Sequence, residues 1–134
     1  MRSTTVELRT IAGTEAVLGW ANGHTVVVDR PEGAAGGQGL GFNGSQLLSL
    51  ALGGCFCNDL RYTAETMGVK IGAIAVTVKL DMDGAPLLSQ AAAMTVHVEM
   101  LDGSDPTALI EASKKKCMVS NSLRRGFPVE IAQV

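Results

Sequence analysis

Residues 44–67 constrain this chain more than any other stretch. Asn43 is placed to cap a helix, and Gln46 follows three residues on in a capping-box arrangement. Gly68 fits the position just beyond the helix end, where a left-handed conformation is common. One helix of about 24 residues, roughly 36 Å long, is predicted between them. Its first half (Leu47, Leu48, Leu50, Ala51, Leu52, Phe56) is apolar all round. A helix of that kind is buried on every side. A chain of 134 residues with few other helices can hardly surround it, whereas a second copy of the chain can. The nearly polar-free run from Leu47 to Cys57 is broken only by Ser49, and it is well short of the ~20 residues of a membrane span.

The flanking segments alternate as strands do. Residues 4–11, 14–20 and 24–29 read as a three-stranded meander, with Asn22-Gly23 as the hairpin signal. Residues 31–44 form a loop with glycines at 33, 36, 37, 39, 41 and 44, read as a mobile entrance. Residues 73–83 place Ile74, Val76, Val78, Leu80 and Met82 on one face, and residues 88–101 do the same with Met94, Val96, Val98 and Met100. Asp105-Pro106 opens a second helix that runs to about Lys116. Residues 120–125 suit a short helical turn and residues 129–134 a final strand. The fold class is α+β in the order βββ-α-ββ-α-β, with residues 1–134 as a single domain.

Apolar residues make up 46% of the chain and charged residues 18%, which excludes disorder. A net charge of −2 argues against a nucleic-acid or anionic-membrane binder. The start of the chain has no apolar signal-peptide core, and its three cysteines do not suggest a secreted disulfide scaffold. A cytoplasmic location is therefore expected.

Gly39-Leu40-Gly41-Phe42-Asn43-Gly44 matches the G-x-G-x-x-G pattern, but no strand leads straight into it and the flanking strands are antiparallel. No dinucleotide cofactor is expected. Cys55 and Cys57 on one helix point about 200° apart and cannot chelate one ion. His24 and His97 stand alone, so no metal is expected. Cys55 follows Gly53-Gly54, each glycine costing about 0.8–1 kcal/mol in mid-helix relative to alanine. Such a pair suits close helix–helix packing or space beside a reactive side chain. Cys55 then reads either as a small buried hydrophobe or as a reactive thiol. Cys117 follows Lys114-Lys115-Lys116. The ammonium groups favour a thiolate there, and a helix carboxyl end opposes it.

The helix Asn43-Gly44-Ser45-Gln46-Leu47-Leu48 through Gly53-Gly54-Cys55-Phe56, with Cys117 followed by Val119-Ser120-Asn121, resembles the OsmC/Ohr family of osmotically inducible and organic-hydroperoxide-resistance proteins. Its members carry a helical motif like N-P-E-x-L, a run of small or apolar residues, then A-C-F, and later a second cysteine. The double glycine and the Gly23-His24…Asp29 hairpin look more like a YhfA-like branch. The resemblance implies an intertwined homodimer whose sheets wrap two central helices. It also implies a thiol peroxidase that reduces organic hydroperoxides: Cys55 becomes a sulfenic acid, Cys117 resolves it to a disulfide, and a dithiol or lipoyl group reduces that. By the same match Cys57 is structural, and no cofactor, nucleic-acid or membrane partner is expected.

Two departures bear on activity. The family's glutamate falls at Ser45, and its early-hairpin arginine has no counterpart, Arg30 being the nearest substitute. Apolar surroundings disfavour a thiolate, so slow peroxide turnover is expected. The alternative is an OsmC-fold protein that binds a small apolar or thiol-reactive ligand at the dimer interface.

Overall fold

A computed structural model describes residues 1–134. The elements run β1 (Glu7–Thr10), β2 (Val17–Ala21), β3 (His24–Val28), α1 (Gly44–Met67), β4 (Ile71–Asp83), β5 (Leu88–Met100), α2 (Thr107–Lys114) and α3 (Met118–Arg125). The chain forms two compact units, Met1–Leu48 and Ser49–Val134.

In the first unit β1, β2 and β3 make an antiparallel sheet in that order. Ala21 pairs with His24 across the two-residue loop, where Asn22 takes a φ of 54°. The glycine-rich segment is not the open, mobile loop expected from its composition; it is tied down. Buried Asp29 receives the backbone N–H groups of Arg30 at 2.8 Å, Gln38 at 3.1 Å and Leu40 at 3.0 Å. Phe42 N–H donates to the Val27 carbonyl, and Asp29 N–H donates to that of Phe42. Gly41 is required by close approach, since a Cβ there would lie 2.0 Å from the Val27 carbonyl oxygen. The Leu40 N–H and the other donors hold the Asp29 carboxyl below its ordinary value, against the opposing effect of burial.

Helix α1 begins and ends as its sequence dictates. Asn43 Oδ1 accepts the Gln46 N–H at 3.0 Å, and Gln46 Oε1 accepts the Asn43 N–H at 2.9 Å, a reciprocal capping box. At the far end Gly68 takes a φ of 69°. Its N–H donates to Glu65 and the Val69 N–H to Ala64, closing a Schellman motif.

The second unit packs the rest of α1 on the β4–β5 hairpin. Pairing of Ile74 with Val98, Val76 with Val96 and Val78 with Met94 puts one apolar face toward the helix. Leu52, Phe56, Leu60 and Ala64 meet Val98, Met100, Leu109 and Cys117 in one core. Gly53 lets helix and sheet approach: a Cβ there would lie 3.0 Å from Val78 Cγ2, whereas Gly54 faces open space. The first glycine therefore serves helix–sheet packing within the chain.

Helix α2 starts where Asp105 accepts the Thr107 N–H at 2.9 Å and its hydroxyl at 2.7 Å. Residues 118–125 form a full helix. The expected last strand at residues 129–134 is absent, with Val129 and Ile131 at 75% and 94% exposure. Pro128 offers no backbone donor, and residues 126–134 have no pairing strand within the chain.

With the α1 face at Gly54 uncovered, Gly54→Ala is expected to raise the stability of the single chain by about 1 kcal/mol through helix propensity. At Gly53 the same gain is cancelled or reversed by the Val78 contact. Denaturant midpoints of the two variants measure the difference.

Candidate functional site

Cys55 and Asp59 stand one turn apart on α1, so the spacing of the helix puts both on one face. The Cys55 thiol donates to Asp59 Oδ2 at 3.6 Å. Cys117 arrives from another direction, as the residue that caps α3, and is 1% exposed. The two sulfurs and an Asp59 carboxylate oxygen all lie within 4.8 Å of one another. Cys55 and Asp59 are half-buried, so the cluster has one open side. Cys57, half-buried two residues beyond Cys55, is outside this group. All three cysteines are free thiols.

Cys117 sits at the start of a helix as well as just past the end of another. The Ser120 backbone N–H at the start of α3 favours the thiolate. Burial outweighs this and, with Cys55 and the Asp59 charge nearby, pushes the Cys117 thiol above its ordinary value. The lysine run does not reverse that sign. Lys114 is engaged by Glu111 at 2.6 Å, and Lys115 and Lys116 are exposed.

The residues that depart from the family pattern have other partners. Arg30 pairs with Asp29 at 3.3 Å and donates to the Glu15 carbonyl at 3.0 Å. Ser45 donates to Asn43 Oδ1 at 2.7 Å and so belongs to the helix cap. Beside the thiols, a cavity of about 220 Å³ is lined by Phe56, Met94, Val96 and Cys117, together with Lys114 and Arg124. Asp59 is the site residue missed from sequence. Its signal was the four-residue spacing from Cys55.

The family described as OsmC-like protein matches residues 36–132. The chain belongs to the OsmC-like family. Its fold is similar to that of an OsmC-like protein from Mycoplasma pneumoniae at TM-score 0.75 and 15% identity, over 92% of this chain and 88% of that one. It is also similar to the organic hydroperoxide resistance protein OhrB of Bacillus subtilis at TM-score 0.61 and 24% identity, over 92% and 91%. A putative organic hydroperoxide resistance protein from Vibrio cholerae, with captopril bound in one of its active sites, is similar at TM-score 0.67 and 20% identity, over 92% and 85%. No curated protein matches the chain. No helix is long and apolar enough to cross a membrane.

The raised Cys117 value has a sign that can be measured. A thiol raised on folding contributes stability that is complete below its ordinary value of 9.0 and is lost as pH climbs through the higher folded value. Wild-type stability is therefore expected to fall on the alkaline side, and Cys117→Ala to flatten that fall. Denaturant unfolding across an alkaline pH series reads the slope.

Proposed function

We propose that this protein is a cysteine-based reductase of organic hydroperoxides. The observation that carries the reading is the meeting of two free thiols within 4.8 Å in a chain of the OsmC-like family. The half-buried Cys55 is the attacking thiol and the buried Cys117 the resolving one. Cys55 thiolate attacks the O–O bond of the hydroperoxide, forms a sulfenic acid and releases an alkoxide, which takes a proton to become the alcohol. The Cys117 thiol then condenses with the sulfenic acid to give a disulfide and water. The sulfurs must close to about 2 Å for this bond. An external dithiol, of lipoyl type, returns both thiols by exchange. Free thiols fit a reducing cytoplasm.

Activation is weak in this reading. The Asp59 charge opposes a thiolate at Cys117, and Arg30 is bound to Asp29. The cavity beside Cys117 supports a second reading, in which the same fold holds a small apolar or thiol-reactive ligand.

The active form in this proposal is a homodimer. Leu50 is 54% exposed on the apolar half of α1, and Ala51 and Gly54 beside it are also exposed. This unpartnered face needs a cover, and a second α1 supplies one. Sedimentation is expected to give twice the chain mass at micromolar concentration, and Leu50→Glu to yield monomer.

With an organic hydroperoxide and a dithiol, wild type is expected to consume peroxide. Cys55→Ser should lose activity by roughly three orders of magnitude. Cys117→Ser should form a sulfenic acid that a dimedone probe traps, with no intrachain disulfide. Wild type no faster than Cys55→Ser would overturn the proposal and favour the ligand-binding reading.

A further inference from the structure

The cluster at Cys55 collects two thiols and a carboxylate, and no ion pair neutralises Asp59. We propose that Cys55 Sγ, Asp59 carboxylate and Cys117 Sγ bind one soft divalent cation of the zinc type, with a fourth position open to water. Zinc bonds of about 2.3 Å to sulfur and 2.0–2.2 Å to oxygen place tetrahedral ligands roughly 3.5–3.8 Å apart. The three atoms already lie within 4.8 Å of one another, so closing the set takes about 1 Å of side-chain movement. Thiolate donors select zinc over magnesium and calcium, which prefer oxygen.

The supports of the site are of the right kind. Cys55 and Asp59 are held one turn apart on α1, and Cys117 is fixed at the start of α3. Cys117 is packed in the core with Phe56 and Leu109, which holds its sulfur in place. Half-buried Cys55 leaves a route for the ion. Cys55 and Cys57 cannot share an ion on one helix, and His24 and His97 stand alone; this set instead joins Cys55 to Asp59 and Cys117. Binding releases two thiol protons to solvent and leaves the cluster one negative charge, where three ionised ligands alone would carry three. Binding itself does not depend on the peroxidase reading. If that reading holds, a bound ion keeps both sulfurs reduced and stops turnover until it is removed.

The test titrates the reduced full-length protein with Co²⁺ without oxygen, and then displaces the cobalt with Zn²⁺. One ion per chain is expected, with a sulfur-to-cobalt charge-transfer band and the strong visible bands of a tetrahedral site. Cys55→Ser and Cys117→Ser should each weaken binding at least ~100-fold, Asp59→Asn about tenfold or more, and Cys57→Ser not at all. As a check that needs no variant, Zn²⁺ should protect Cys55 and Cys117 from alkylation and leave Cys57 open. Absence of a saturable charge-transfer band overturns the proposal, as does binding that survives Cys117→Ser or requires Cys57. A protein that reduces peroxide but takes up no cobalt overturns this inference alone. One that binds cobalt without turning over peroxide overturns only the peroxidase proposal.

Discussion

Contact between α1 and the β4–β5 hairpin is the interaction on which the second unit depends. It is a van der Waals contact made possible by a missing side chain. With hydrogen alone at Gly53, the helix settles on Val76 and Val78, and the next buried positions, Phe56 and Leu60, follow at helical spacing. That seating decides where Cys55 stands, since it shares the rod. It also provides the surface under which Leu109 and Cys117 are buried, so the second sulfur is fixed by the same core that fixes the first.

Much of this was legible in the residues because the signals are local. The Asn43–Gln46 reciprocity, the glycine after Met67 and the period-two alternation of the long hairpin each involve partners a few positions apart or set by pleat geometry. The two thiols were singled out by motif. What was not legible depends on partners distant in sequence. Asp29 looks like the last residue of a strand, yet it gathers donors from up to eleven residues away. Cys117 looks like a helix end and is also a helix beginning, which changes the sign of the backbone's influence on its sulfur. A weak alternation at residues 129–134 suggested a strand, but a strand exists only where another chain segment offers hydrogen bonds.

The charge balance at the thiols is the chemical theme of the molecule. In the family pattern implied by the resemblance, a cation and a glutamate attend the first cysteine. Here the charged group that Cys55 meets on its own helix face is a carboxylate, while Arg30 is joined to Asp29. Positive charge and anionic sulfur attract at short range with little screening when partly buried. Burial and the Asp59 charge therefore keep the proton on Cys117 more firmly, and the cluster gains from any positive partner that enters.

The Asp29 staple has a consequence for how chains of this kind can differ in length. Its carboxylate clasps the backbone at residues 30, 38 and 40, and the Phe42 bonds clamp the exit of the loop. The entry to α1 is thus fixed independently of what lies between the two ends of the clasp. Of residues 31–36, all are exposed, and lengthening a closed loop costs only slowly growing entropy. Insertions there should leave the cap of the helix in register, which makes this segment the natural place to graft a peptide or a tag in the middle of the chain.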